Sequence, residues 1–101
     1  MIEVNIRANG ISVDGHARYA PEGQDIVCAS VSTLFQVLIQ AIEDLTGDNI
    51  EYAIASGKAY VKWEHLSEIS RVLVDAFLVG IRMIVDGYPE YVRFKHITEE
   101  K

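Results

Sequence analysis

The chain has 101 residues, enough for one modest hydrophobic core and too few for two domains. Half of the residues are hydrophobic and the charged quarter is spread along the chain, which excludes a disordered polymer. A formal net charge of -6 offers no basic surface for phosphates, so direct nucleic-acid binding is not expected, whereas a basic peptide would suit it.

Ile2, Val4, Ile6 and Ala8 share one parity against Glu3, Asn5 and Arg7, which predicts a half-buried strand over residues 2–8. Asn9-Gly10 reads as a two-residue hairpin turn, and Ile11-Ser12-Val13 resumes the alternation. A polar loop follows over residues 15–24. From Asp25 to about Thr46 the pattern turns helical, with Val27, Val31, Leu34, Leu38, Ile42 and Leu45 at three-four spacing and Gly47 as terminator. Residues 50–56 predict a third strand, Gly57-Lys58 a turn, and residues 59–63 a fourth strand. A second helix is predicted from about His65 to Asp86, stopped by Gly87 and Pro89, and a last strand over residues 91–96. The tail TEEK is expected to fray. The fold class is α+β: one small domain, two helices packed with an antiparallel or mixed sheet of about five strands.

Both helices carry more apolar residues than one stripe needs: Val37, Ile39 and Ala41 in the first, and Val74, Leu78, Val79 and Val85 in the second. Such helices need cover on two sides. A homodimer would supply it; strands wrapped around both helices within one monomer are the alternative.

Cys28 is the lone cysteine, so it closes no internal disulfide and has no partner thiol for zinc. The opening MIEVNIRANG lacks the layout of a signal peptide, and no apolar run reaches the ~18 residues of a spanning helix. A reduced, cytoplasmic setting with no membrane partner is expected. With Asp25 as N-cap, Cys28 falls in the first helical turn, where unpaired N–H groups and the helix dipole favour a thiolate and can meet an oxyanion. An inert core thiol satisfies the same position. His16, after Gly15 and at the end of a strand, can take a thiol proton at neutral pH; it can equally be a surface histidine.

Gly15-His16-Ala17, then a variable loop, then Asp25-Ile26-Val27-Cys28-Ala29-Ser30-Val31-Ser32 closely resembles the ribosomal-processing cysteine protease family (Prp). The order of elements is similar too, and the resemblance covers essentially the whole chain. Ser30 stands where alanine is more usual. The resemblance implies a single cysteine-protease domain over 1–101, cytoplasmic and dimeric. It also implies an activity: removal of a short N-terminal extension from a large-subunit ribosomal protein, with cleavage after an aromatic residue. Cys28 carries over as nucleophile, His16 as its base and Gly15 as the flexible residue beside it. Asp25 and Ser32 occupy motif positions.

Ser32 shares the helix face of Cys28 and can donate toward the thiolate or substrate, or bond a carbonyl one turn back. Asp25 can orient His16 or only cap the helix, with the cap preferred; Asp14 is a weaker orienting candidate. The expected chemistry is attack by Cys28, an oxyanion held by first-turn N–H groups, and a thioester hydrolysed with His16 as base. It needs no metal and no cofactor. The loop over residues 17–24 has little to pin it and is either a lid or a plain connector. Tyr19, Tyr52, Tyr60 and Trp63 are candidate contacts for apolar substrate side chains, or core and interface residues. Two other functions fit the same residues: a non-catalytic dimeric peptide-binding module in ribosome assembly, and a thiol hydrolase for another acyl substrate.

Overall fold

Residues 1–21 and 23–97 are described by the structure, a computed structural model. The first strand, β1 (Ile2–Arg7), returns as β2 (Gly10–Asp14) in antiparallel register, with Arg7 opposite Gly10. The two-residue turn is therefore Ala8-Asn9, one position earlier than Asn9-Gly10. Gly10 lies inside the sheet instead, where a Cβ would stand 2.8 Å from the Val61 carbonyl oxygen, so it is a close-approach glycine. The same one-residue correction applies to the second hairpin. β3 (Glu51–Ala55) and β4 (Lys58–Lys62) flank a Ser56-Gly57 turn, with Gly57 at φ +75.

The sheet runs β3-β4-β2-β1-β5, where β5 (Val92–His96) pairs parallel with β1 and every other neighbour is antiparallel. Register puts Ile2, Val4, Ile6, Ile11, Val61 and Val92 on one face, all buried. The opposite face is polar, with cross-strand ion pairs Arg93–Glu3 and Lys62–Glu51 both at 2.9 Å. Both helices cover the apolar face alone, giving two layers.

The first helix, α1 (Ile26–Leu45), buries Val27, Val31, Phe35, Leu38, Ile39 and Ile42. By length and composition it is long and apolar enough to cross a membrane, contrary to the sequence expectation. Its packing against the sheet uses that apolar character as core. Ile39 is thus covered within the monomer, not by a partner. The second helix, α2 (Glu68–Gly87), starts three residues later than expected, because the Ser67 hydroxyl accepts from the Ser70 N–H and fixes the cap there. His65 lies outside it. Phe35 and Phe77 meet edge to face at 5.9 Å between the helices, and Gly80 admits Leu34, whose Cδ1 would lie 2.8 Å from a Cβ there. The two helices are also joined by polar groups. The Asp48 carboxylate accepts from the Ser67 N–H (2.9 Å), the Ser67 hydroxyl (2.7 Å) and the fully buried Ser70 hydroxyl. The TEEK tail lies outside the described residues.

Candidate active site

The site originates in an overhang. Tyr52 and Ile54 of β3 sit opposite Val61 and Ala59, on the helix-facing side, yet every β3 residue is exposed. The helix layer stops short of this edge. Between the first half of α1 and the β3–β4 hairpin this leaves a cleft of about 770 Å³. Cys28, Ser32 and Gln36 follow one another along the α1 wall at four-residue spacing, Phe35 adds an aromatic surface, and the chain after β2 closes one end. Gly15, His16, Asp25, Cys28 and Ser32 all line this cleft.

Gly15 has φ +94 and its N–H donates to the Gly57 carbonyl at 2.9 Å, so the chain leaves β2 still bonded to the hairpin. A Cβ on Gly15 would collide with the Met1 carbonyl oxygen. Glycine is needed here for both conformation and space. The His16 carbonyl accepts from the Met1 amino group at 2.6 Å. Its imidazole lies against Gly57: a Cβ there would stand 2.6 Å from Nε2, 3.2 Å from Cε1 and 3.3 Å from Cδ2. No hydrogen bond joins the His16 ring to Cys28 among the described residues. The half-buried Cys28 instead receives a backbone donor, the Ala17 N–H, at 3.2 Å from Sγ.

Asp25 is the N-cap of α1. Its Oδ1 accepts from the N–H groups of Val27 (3.0 Å) and Cys28 (2.9 Å), and its Oδ2 from the Tyr19 N–H (3.0 Å). The Cys28 N–H foremost holds this carboxyl below the usual carboxylate value; burial, the next largest influence, opposes it, and the Tyr19 and Ala20 N–H groups and the Cys28 thiol add to the lowering. Asp25 therefore caps the helix and ties down the loop; both oxygens are engaged and neither meets His16. Asp14 accepts from the Asn5 amide at 3.2 Å and does not orient His16 either.

Three expectations change. The Val27 and Cys28 N–H groups, expected to face an oxyanion, belong to the Asp25 cap, and the backbone donor on the sulfur side comes from Ala17. Ser32 accepts from Gln36 Nε2 at 3.0 Å; the bond back to a carbonyl one turn earlier is made by Ser30, to Ile26 at 2.6 Å. The start of the loop is well tied, because its anchors are backbone groups that composition does not reveal.

Tyr19, Tyr52, Tyr60 and Trp63 do not line the cleft. Tyr52 Oη donates to Glu43 at 3.4 Å, and Tyr60 lies on the polar sheet face with the Lys62 ammonium over its ring. Sequence reasoning missed the Ala17 N–H, which has no sequence signal, and Gly57, legible only as a turn glycine.

A thiol in the first turn of a helix, with a backbone donor on its sulfur and an imidazole in the same cleft, is the constellation of a thiol hydrolase. Residues 1–93 match the family model described as cysteine protease Prp, and the chain belongs to that family of cysteine proteases. Two relatives carry the name ribosomal processing cysteine protease Prp. The Staphylococcus aureus protein is 28% identical over 95% of this chain and 99% of its own length. The Mycoplasma genitalium protein is 27% identical over 91% and 92%. The fold matches a crystal structure of S. aureus Prp with a covalently linked product peptide at a TM-score of 0.91, 24% identity, and 96% and 100% coverage. It also matches Streptococcus mutans SMU.848 at a TM-score of 0.78 and 29% identity, over 97% of this chain and 93% of that one. Membership of a protease family sets aside the non-catalytic binding module.

Proposed function

We propose that this protease removes the N-terminal extension of a large-subunit ribosomal protein, with Cys28 as nucleophile and His16 as general base. The observation that carries the reading is the Ala17 N–H on Cys28 Sγ, in a cleft that His16 shares. The names of the relatives supply the substrate class. His16 rests against Gly57 and turns toward the sulfur when peptide fills the cleft, since catalytic contacts commonly tighten only in the complex. It takes the thiol proton, the thiolate attacks the scissile carbonyl, and the Ala17 N–H is the donor nearest the oxyanion forming beside Sγ. His16 then protonates the leaving amine, and a water activated by His16 hydrolyses the thioester. The exposed strand β3 offers a free sheet edge along the same cleft for an extended peptide.

The protease works as a homodimer in the cytoplasm on this reading. Exposed apolar side chains on the outer helix faces, Val72 at 62% and Met83 at 70% among them, support a second copy, and the lone thiol supports a reducing compartment. The deciding experiment mixes the protein with an N-terminal peptide of a large-subunit ribosomal protein and follows fragments by mass. Wild type yields two fragments and Cys28→Ala none, with its fold intact. Undiminished cleavage by Cys28→Ala would remove the assignment.

A further inference from the structure

The Tyr19 ring stands between two other tyrosines. Its centroid lies 5.5 Å from that of Tyr88 and 5.2 Å from that of Tyr91, both edge to face, at 85° and 81°. The two receiving residues are themselves fixed. Tyr88 is the C-cap of α2, and the Tyr91 N–H donates to the Tyr88 carbonyl at 3.0 Å. The Tyr91 carbonyl accepts from the Ile2 N–H at 2.8 Å. The Tyr19 backbone is held as well, by Asp25 Oδ2. Two residues earlier Ala17 is only 3% exposed, with its N–H on Cys28 Sγ. Between them Arg18 has φ +58, the one non-glycine residue with positive φ among the described residues.

A left-handed arginine carries a conformational cost and persists only where both of its neighbours are pinned. Ala17 is pinned by the core and the sulfur. Tyr19 is pinned by its two aromatic contacts, whose combined worth is of the same order as the cost at Arg18. We infer that Tyr19 is a positioning residue for the thiol. Its ring, seated between Tyr88 and Tyr91, holds Arg18 left-handed, and that conformation keeps the Ala17 N–H on Cys28 Sγ. Tyr19 does not itself line the cleft, so its effect passes through the backbone. The inference deepens the proposed protease reading and rests on it for its consequence in turnover.

The test compares Tyr19→Ala, Tyr19→Phe and the double variant Tyr19→Ala/Arg18→Gly with wild type, well below every variant's Tm. Ala17 amide exchange is read by NMR, and kcat/KM on the ribosomal-protein peptide. Tyr19→Ala is expected to exchange Ala17 about 10-fold faster and to lose about 10-fold in kcat/KM, the factor set by releasing one left-handed residue. Tyr19→Phe keeps the ring and stays within about twofold. Adding Arg18→Gly to Tyr19→Ala recovers at least about threefold in both, since glycine takes positive φ without strain. A Tyr19→Ala protein whose Tm falls while Ala17 exchange and kcat/KM hold would overturn the inference. So would a failure of Arg18→Gly to restore Ala17 protection. The exchange arm needs no cleavage, so it stands or falls separately from the Cys28 assignment.

Discussion

The two ends of α1 are both built around an aspartate that collects hydrogen-bond donors, and they serve different purposes. At the N-terminal end Asp25 binds two amides of its own helix and one from a loop beside an open cleft. Past the C-terminal end Asp48 binds Ser67 and Ser70 of the other helix start, with Ser70 fully buried. One aspartate fixes a loop next to a thiol; the other ties the end of α1 to the start of α2. The same hydrogen-bonding chemistry therefore supports reactivity where the cluster opens on a cleft and stability where it is enclosed. Substitutions near the first end should cost turnover, and substitutions near the second should cost stability.

Short of removing Cys28 itself, the largest expected effect is at Gly57. Gly57→Ala places a methyl group 2.6 Å from His16 Nε2 and forces a left-handed alanine. The added methyl crowds the space from which the His16 ring must turn toward the sulfur, and a proposed base held about 1 Å out of place in the complex should reduce peptide cleavage by about 100-fold. Steric origin is checked by melting temperature: Gly57→Ala should cost less in a His16→Ala background, where the ring is gone. Equal costs in both backgrounds would separate Gly57 from His16.

The opposite end is probed by Ser70→Ala. It removes a buried hydroxyl from a charged acceptor, worth about 1–3 kcal/mol, and should lower Tm by about 4–20 °C in a domain of this size. Cleavage at temperatures where the variant is folded should be unchanged. A loss of turnover without a loss of Tm would erase the distinction between the two ends.

The difference between the ends also explains what was legible in the sequence. Asp25 caps the helix that follows it, so the aspartate, the apolar period and the placement of Cys28 were all readable locally. Asp48 serves a helix start 19 residues away, and no local pattern shows that. The first two strands followed from alternation and both helices from three-four spacing. Both hairpin turns slipped by one residue because the glycines looked like the first or second turn residue, when Gly10 is a packing position and Gly57 the second. Gly15, His16, Asp25, Cys28 and Ser32, which line the cleft, were legible as motif positions. Their setting was not: the overhang at β3, the seat of the His16 ring and the Ala17 donor all depend on strand order and backbone geometry.

The smallest effect is a pH dependence shared by both ends. Asp48 is held below its ordinary value by the Ser70 hydroxyl first, then by the Ser67 N–H and hydroxyl, with burial opposing. Asp25 is held down chiefly by the Cys28 N–H. A carboxyl whose folded pKa lies below its unfolded value contributes stability fully above the unfolded pKa, near 3.8, and loses it as pH falls through the folded one. Tm should therefore hold from neutral pH down to about 5 and decline below about 4, less steeply in Asp48→Asn and in Asp25→Asn. A decline that is equally steep in both variants would assign the acid sensitivity elsewhere.

Central to the proposed mechanism is a covalent bond between Cys28 and the substrate acyl group. Acid quenching of wild type during turnover of the ribosomal-protein peptide, followed by trypsin and mass spectrometry, looks for that bond directly. The expected result is the N-terminal product fragment, less one water, attached to the tryptic segment 19–58 that contains Cys28, and no such adduct in Cys28→Ala. An adduct on any other residue, or cleavage by Cys28→Ala at the wild-type rate, would contradict the assignment of Cys28 as nucleophile.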